Sequence, residues 1–463
     1  MNDQGPMTKD EQETAPTPQN PLHPMLTIVG PRGQFCDGQS RRTFLKVGAA
    51  AGLTLPSLLR ADAAANRRSH KSVIMIYLSG GLAHQDSFDL KPSSPSEVRG
   101  EFQPISTNIP GVQFGELLPK LAGCMDKLVL LRALVGQKDE HSSWQSYTGI
   151  TMDTAKRENR PHFGSVVAKL QGQTDPVVPA FVDLSPTMQH KPYNSPGPAM
   201  LGRKAAPVKV DGDEIAVMKN LEVPAGRLTD RKDLLSRIDA MKRTADRSTA
   251  PSADTFHDRA FEVLTSNKLV EALDVSKEPP AVRDRYGKGS PKHQGDGAPQ
   301  WNEQLLMARR LVEAGARVVT VAYGFWDTHG GNFKALRKQL PVFDQGISGL
   351  VEDLYARGLD RDCTVVVWGE FGRTPKINKD AGRDHWARVN FALMSGGGMR
   401  TGQVIGSTDS IAGEARADAI PYPSVLATVY RNLDIDPHAM VMDVANRPAP
   451  VLPSSVAPID RVL

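Results

Sequence analysis

Two apolar patterns alternate along most of the chain. Short, nearly continuous apolar runs have the length of a strand and lack polar alternation, which predicts strands that are buried on both faces. Between them lie longer stretches in which apolar residues recur every three or four positions, as on one face of a helix. This alternation predicts an α/β fold with a mostly parallel sheet sandwiched by helices. The predicted strands are residues 72–78, 128–131, 180–184, 317–322, 364–368 and 391–394, and the predicted helices include 254–264, 300–314, 332–356 and 424–432.

Two long segments rich in proline and glycine interrupt this pattern, at residues 191–214 and 287–299. Loops of this length are either lids over a site or solvated insertions without a role. We interpret both segments as insertions.

The N-terminal part of the chain has the features of an export signal. Residues 40–45 read SRRTFL, and an apolar stretch at 47–59 and small residues at 61–65 follow, an order that is typical of a twin-arginine signal. We predict a signal region with a long polar extension at 1–65, a single domain at 66–463, passage through the twin-arginine translocase, and a periplasmic or extracellular location. The apolar stretch is shorter than the about 20 residues of a transmembrane helix. No transmembrane helix is therefore predicted, although an uncleaved signal would remain as an anchor.

Composition narrows the class of protein. The formal charge of +4 is small for 463 residues, and no basic run is interleaved with aromatic residues, so we predict no nucleic-acid partner. Of the three cysteines, Cys36 lies in the signal region, which leaves only Cys124 and Cys363. Two cysteines do not make a disulfide framework in a chain of this length. Because the twin-arginine route carries folded proteins, a metal inserted before export is expected.

Histidine and carboxylate residues follow three of the predicted strands. In an open parallel sheet, ligands bind beyond the carboxyl ends of the strands. Imidazole nitrogen with carboxylate oxygen suits zinc, manganese or iron, and calcium is a further candidate. Two such ions about 3.5 to 4 Å apart could clamp the oxygens of a phosphoryl or sulfuryl transfer. The residues are His84 and Asp86 after strand 72–78, Asp327 and His329 after strand 317–322, and Glu370, Asp384 and His385 after strand 364–368, where Arg373 also lies.

Each of these groups also has an explanation without a metal. Short polar residues bond the backbone in turns and cap helices, and opposite charges pair across loops. His84 and Asp86 could bond the backbone of a glycine-rich turn, and Asp327 could be a helix N-cap with His329 packed beside it. Glu370 and Arg373 could form an ion pair. Asp384, His385 and Trp386 could form a structural cluster. The common place of these groups on one rim of the sheet favours a shared polar site, in which Arg373 suits a bidentate contact to a tetrahedral anion.

Several long motifs resemble the exported family known as domain of unknown function 1501. They include SRRTFLKVGAAAGLTLPSLL, GGLAHQDSFDLKP, EVRGEFQPISTNIPG, LLMARRLVEAGARVVTV with FWDTHGGNF, GEFGRTPKIN, GRDHW and SGGGMRTGQVIGSTD. That family is similar to the alkaline phosphatase and sulfatase superfamily. The resemblance implies an alkaline phosphatase-like sheet sandwiched by helices, with one or two divalent metal ions at the strand ends.

The superfamily pattern maps onto this chain with departures. Its aspartate after the first strand falls near Ser79, so that His84 or Asp86 would have to replace it, and its Asp-His pair falls at Glu370 and Phe371. The resemblance implies Asp327, His329 and His385 as further metal ligands, Glu370 as a ligand or a base behind the ligands, and Asp384 beside them. The nucleophile position falls at Asp139, which leaves Ser142 or Ser143 as nucleophile, His141 as activator of water, or no covalent nucleophile.

The resemblance implies a metal-dependent hydrolase of sulfate or phosphate esters. An exported location suggests a sulfated glycan or another anionic polymer as substrate. The alternatives are a non-catalytic cell-envelope protein that binds an anionic polymer and a purely structural envelope protein. Neither a G-x-S-x-G nor a Walker A sequence is present, which argues against an α/β-hydrolase and a P-loop enzyme.

Overall fold

The computed structural model describes residues 70–210 and 267–463. The predicted signal region and the predicted helix 254–264 lie outside the described residues. Within them, the central sheet has nine strands. In chain order these are β1 (Ser72–Ser79), β2 (Leu128–Val135), β3 (Phe181–Asp183), β4 (Val208–Lys209), β5 (Val318–Phe325), β6 (Cys363–Gly369), β7 (Asn390–Gly396), β8 (Gln403–Ile405) and β9 (Ile420–Pro421).

Helices flank this sheet. The described α-helices are α1 (Ser96–Arg99), α2 (Pro119–Gly123), α3 (Trp144–Thr148), α4 (Met152–Arg157), α5 (Phe163–Gln171), α6 (Asn267–Leu273), α7 (Pro280–Tyr286), α8 (Asn302–Ala314), α9 (Asn332–Ala356) and α10 (Ser424–Asn432). None of the described helices is long and apolar enough to cross a membrane. Both cysteines of the described part, Cys124 and Cys363, are buried and free.

The sheet is mostly parallel. Its strands lie in the order β8-β2-β7-β6-β1-β5-β3-β4, and β9 pairs with β2. Within this nine-stranded sheet, only β7 runs antiparallel to its neighbours, β6 and β2. The predicted fold class, a mostly parallel sheet sandwiched by helices, is therefore confirmed. The direction of β7 matters for function, because the segment before β7 reaches the sheet at the edge where the other strands end.

The core has two parts, one on each face of the sheet. Ile74 and Ile76 of β1 pack in a cluster that includes apolar residues of α8 and α9. Val73 and Met75 face the other way, into a cluster that includes residues of α5 and α10. Successive residues of a strand point to opposite faces, so a central strand covered on both sides must be apolar throughout. This explains why β1 is buried along its whole length.

Some of the observed strands and helices have the predicted bounds, and others differ from them. The predicted strand 128–131 continues to Val135, because Arg132, which interrupts the apolar run, pairs at 3.3 Å with Asp89. The predicted helix 332–356 has the same bounds as α9. Residues 208–209 of the predicted loop 191–214 form β4, which joins the edge of the sheet. The sequence did not predict this strand, because two residues are too few to show an apolar period.

Candidate metal centre

Five segments meet at the edge of the sheet where β1, β2, β5 and β6 end and β7 begins. They are residues 80–86, 136–143, 326–331, 370–375 and 380–389. The last two are joined by a short antiparallel ribbon, in which His385 pairs with Arg373 and Trp386 with Gly372.

Two glycines allow these segments to approach one another. Gly80 has a φ of 95°, and a Cβ at this position would lie 2.6 Å from the backbone nitrogen of Asp327. A Cβ on Gly382 would lie 1.9 Å from the carbonyl oxygen of His329. Any side chain at either position would push apart the loops that carry the polar residues.

Four side chains from these segments converge, and we call them the candidate centre: His141, Asp327, His329 and His385. One potential ligand atom from each lies within 4.8 Å of the others. The Asp327 carboxylate is shared, because the Nε2 atoms of His141, His329 and His385 lie 3.3, 3.0 and 3.3 Å from its oxygens. The Nε2 atoms of His329 and His385 are 3.0 Å apart. The three imidazoles therefore direct the same ring atom at one point.

Each imidazole is also hydrogen-bonded through its other nitrogen. His329 Nδ1 lies 2.8 Å from Asp384 Oδ1, and His385 Nδ1 lies 2.8 Å from Asp139 Oδ1. Because a carboxylate accepts, each of these Nδ1 atoms carries a proton, which would leave the Nε2 lone pair of the ring to a cation bound at the centre. Such carboxylate partners orient histidines that bind metals.

A divalent cation fits this arrangement. Four tetrahedral ligands with bonds of about 2.0 to 2.2 Å lie roughly 3.3 to 3.6 Å from one another. Four of the separations, at 3.0 to 3.3 Å, are close to this spacing, and all the potential ligand atoms lie within 4.8 Å of one another. Three nitrogen donors and one oxygen donor suit zinc, manganese or iron, whereas calcium takes mainly oxygen ligands. The candidate centre is thus compatible with metal binding.

Arg373 lies against the candidate centre but is not open to a substrate. Its side chain is fully buried, and its guanidinium donates to Asp327 and to the carbonyl oxygens of Gly80, Gly81 and Arg383. All three of its nitrogens are therefore engaged within the protein. The sequence predicted a contact to a tetrahedral anion; the structure instead places this residue where it orients the Asp327 carboxylate.

Charges within the candidate centre shift two pKa values. Burial raises the pKa of Asp327, but hydrogen bonds from His141, His385 and Arg373 outweigh it and hold the pKa well below its usual range. Burial lowers the pKa of His141, but hydrogen bonds with Asp327 and Glu370 outweigh it and raise the pKa to about 9. A metal ion would therefore have to displace a proton from His141.

His84 and Asp86, both predicted as ligands, do not join the candidate centre. Both Asp86 oxygens accept from the buried Arg383 guanidinium, at 2.7 and 2.8 Å, and one also accepts from Asn332. His84 is buried, and its Nε2 bonds the carbonyl oxygen of Ala412. The sequence placed them after the correct strand, but their carboxylate and imidazole are used inside the fold.

Glu370 and Asp384, also predicted as ligands, lie behind the imidazoles. Glu370 is buried; its Oε1 accepts from the Gly80 backbone at 2.7 Å and lies 3.5 Å from His141 Nδ1. Its Oε2 is buried as well. Asp384 is the Nδ1 partner of His329. Glu370 thus lies next to His141, and its predicted role as a ligand or as a base behind the ligands stays a prediction.

Of the three residues predicted as nucleophile or activator of water, one belongs to the candidate centre and two do not. His141, predicted as an activator of water, is one of the four residues of the candidate centre. The Ser142 hydroxyl accepts from the backbone of Trp144, and the Ser143 hydroxyl donates to backbone carbonyls at Pro192 and Asn194. Both serines are buried. Neither hydroxyl is presented to the candidate centre by these contacts.

Tyr193 is a neighbour of the candidate centre that sequence reasoning missed. Its hydroxyl lies 2.5 Å from His141 Nδ1. It belongs to the proline- and glycine-rich segment 191–214, which the sequence suggested to be an insertion. No sequence signal identifies it, because an aromatic residue in such a loop looks the same whether it packs or bonds a histidine.

The fold and the candidate centre define an α/β protein with a histidine and carboxylate cluster at the carboxyl ends of parallel strands. The chain belongs to the family described as "Protein of unknown function (DUF1501)", which matches residues 70–463. The family predicted from the motifs is thereby confirmed. A comparison with curated protein sequences finds no match.

Solved structures similar to this chain include a synthase and sulfatases. The lipoteichoic acid synthase LtaP from Listeria monocytogenes is 11% identical over 77% of this chain and 76% of its own, with a TM-score of 0.32. The PsFucS1 sulfatase from Pseudoalteromonas sp. is 10% identical over 81% and 70%, also at 0.32. A Bacteroides thetaiotaomicron structure from work on glycosaminoglycan metabolism is 9% identical over 79% and 73%, at 0.36.

Proposed function

We propose that this protein is a metal-dependent hydrolase of sulfate or phosphate esters. The observation that carries the proposal is the convergence of three histidine Nε2 atoms on the Asp327 carboxylate. The four side chains are 17 to 47% exposed, so a substrate can reach them from solvent. A polar cluster that served only to hold the fold together would not need three partly exposed imidazoles with a shared orientation.

The residues of the candidate centre would hold one divalent metal ion. His141, His329 and His385 would bind it through Nε2, and Asp327 through a carboxylate oxygen. When bound, the ion would polarise an ester oxygen and lower the pKa of a water molecule. Asp139 and Asp384 orient two of the rings, and Arg373 orients the Asp327 carboxylate.

Water is the proposed nucleophile. The hydroxyls of Ser142 and Ser143 are engaged with the backbone, so neither is poised for attack. Asp139 occupies the nucleophile position implied by the resemblance, but its carboxylate accepts from His385. This assignment selects, among the alternatives that the sequence left open, hydrolysis without a covalent intermediate.

The substrate class and the cellular route extend the proposal. The family resemblance supports an anionic ester, such as a sulfated glycan or another anionic polymer. The SRRTFL segment supports export of residues 66–463 as one folded domain by the twin-arginine route, to the periplasm or the cell exterior. Folding before export would allow the metal to be inserted inside the cell.

A non-catalytic envelope protein is the second candidate. The observation that favours it is the engagement of Arg373, Ser142 and Ser143 within the protein, which leaves the candidate centre without the predicted anion contact and hydroxyl nucleophile. Such a protein would bind an anionic polymer without turning it over.

Metal analysis and an ester panel separate these candidates. The full chain, purified without chelator, is analysed for transition metals and then assayed on aryl sulfates, aryl phosphates and sulfated glycans, beside Asp327→Ala. We expect about one metal ion per chain, as a single four-ligand set implies, and turnover of at least one ester class that Asp327→Ala abolishes. Bound metal without turnover favours the binding protein, and a metal-free wild type contradicts the proposal.

Asp380→Ala is the matched control for that panel. Asp380 is an exposed aspartate close in sequence to Asp384, and its carboxylate is not part of the candidate centre. The variant removes the same charge in the same neighbourhood, and we expect it to keep both metal and turnover.

A further inference from the structure

The three imidazoles of the candidate centre differ in what holds their Nδ1 atoms. The partners of His329 and His385 are aspartates whose side chains are 53 and 58% exposed. The nearest partner of His141 is the hydroxyl of Tyr193, which is 1% exposed. A phenol is neutral where the other two partners are charged. The His141 ring thus depends on a buried contact that solvent cannot replace.

The segment that carries Tyr193 is bonded to the segment that carries His141. His190 Nε2 donates to the carbonyl oxygen of His141 at 3.0 Å. The backbone nitrogen of Ser143 donates to Pro192 at 3.1 Å, and its hydroxyl donates to Asn194 at 3.2 Å. Several hydrogen bonds therefore link residues 190–194 to residues 141–143, and they argue against a solvated insertion at this point of the loop.

Glu370 is the other candidate partner of His141 Nδ1, but its geometry is poorer. Its Oε1 lies 3.5 Å from Nδ1, the outer limit of a hydrogen bond, and already accepts from the Gly80 backbone at 2.7 Å. The Tyr193 hydroxyl is 2.5 Å away. If His141 Nε2 binds a cation, Nδ1 carries the proton and the nearest acceptor is the phenol oxygen.

We propose that Tyr193 is a positioning residue for the metal ligand His141. Its hydroxyl accepts from His141 Nδ1–H, which fixes the rotation of the ring and keeps Nε2 directed at the cation position that it shares with Asp327. The inference rests on the proposed metal function. It gives residues 190–194 a role in holding the candidate centre that neither the family description nor the sequence assigns.

Zinc affinity of the full chain tests this role. Metal-free wild type, Tyr193→Phe and Tyr147→Phe are titrated with zinc in competition with a chromophoric chelator. We expect Tyr193→Phe to bind zinc roughly 10- to 100-fold more weakly, the usual cost of losing such a partner. Tyr147 is the matched control, because it is buried and its hydroxyl makes no hydrogen bond to the four residues of the candidate centre. Tyr147→Phe should bind zinc as tightly as the wild type.

A double-mutant cycle separates positioning from fold stability. In a His141→Ala background, Tyr193→Phe should change zinc affinity by less than about twofold, because the ring that the hydroxyl orients is gone. Equal losses in both backgrounds, or wild-type affinity in Tyr193→Phe alone, would overturn the proposal. A Tyr193→Phe protein that does not fold would also overturn it, by assigning the hydroxyl to stability. Wild type that binds no metal refutes the proposed function itself, an outcome distinct from these.

Discussion

Asp327 is the residue whose side chain all the other members of the candidate centre contact. Its two oxygens contact three imidazoles and one guanidinium. The sequence indicated Asp327, His329 and His385 as ligands from their place after strands and from the family resemblance. It could not indicate that His141 joins them in the candidate centre, nor that Asp86 does not, because both outcomes depend on which side chains face each other across loops far apart in the chain.

The Asp384 carboxylate should matter for metal affinity although it is not one of the four residues of the candidate centre. In Asp384→Ala, His329 loses the acceptor that orients its ring, and zinc affinity should fall roughly 10- to 100-fold. Competition with a chromophoric chelator measures the change, and Asp380→Ala again serves as the control. Unchanged affinity in Asp384→Ala would show that the ring is held by other contacts.

The protonation of His141 predicts opposite pH trends for stability and for metal binding. Its pKa of about 9 in the folded protein lies above the ordinary value of 6.5. The stability that this shift contributes to the metal-free protein is full below pH 6.5 and is lost as the pH rises through 9. Zinc affinity should instead increase over this interval, because fewer protons compete for the ring.

Thermal unfolding of the metal-free protein and zinc titrations across this pH interval measure both trends. In His141→Gln the fall in stability should be smaller, because glutamine has no proton to lose. Zinc affinity that is independent of pH would contradict the raised pKa of His141.

Among the connecting elements, a buried ion pair holds two rim segments together. Arg383 and Asp86 are both fully buried at their side chains and pair at 2.7 Å. Arg383 also donates to carbonyl oxygens at Thr374, Pro375 and Val98. This pair links the segment after β1 to the segment that carries His385.

Breaking this pair should be costly. Asp86→Ala leaves the Arg383 charge buried and unpaired, so the free energy of unfolding should fall by roughly 3 to 5 kcal/mol. Urea unfolding monitored by circular dichroism measures it. The exposed pair of Arg388 and Glu414, at 64 and 57% side-chain exposure, is the control. Glu414→Ala should cost no more than about 1 kcal/mol, and a similar cost for both variants would contradict the role assigned to burial.

The helices and strands were more predictable than the segments between them. Six predicted strands and three of the predicted helices fall on described elements. Strands that are buried on both faces and helices with one apolar face both leave strong apolar patterns in the sequence. β4 and the ribbon of His385 and Trp386 are two residues long and leave none. The contacts made by residues 190–194 escaped for another reason, because hydrogen bonds between loops far apart in the chain leave no periodic pattern.

In the whole molecule, the topology of the sheet decides which loops share the site. β7 runs antiparallel, so the residues before it arrive at the rim where β1, β2, β5 and β6 end. The alternating pattern predicted a mostly parallel sheet but not which strand is reversed, because pairing direction depends on long-range contacts. That reversal brings His385 to Asp327.

Metal binding should stabilise the whole domain, because the ligands come from segments that meet only in the folded chain. At a zinc concentration about 100 times the dissociation constant, the expected gain is about 2.7 kcal/mol. Thermal unfolding with and without zinc measures the shift, and a chelator should reverse it. Asp380→Ala should respond as the wild type does; an equal response from Asp327→Ala would place the bound zinc elsewhere.

X-ray absorption at the metal edge of the loaded full chain tests the central claim most directly, because it reports the atoms that bind the ion. We predict a ligand set of imidazole nitrogens and a carboxylate oxygen at about 2.0 to 2.2 Å, with three histidines in the wild type and fewer in His329→Ala. A spectrum without histidine ligands, or one that His329→Ala leaves unchanged, would contradict the assignment of His141, Asp327, His329 and His385 as a metal centre.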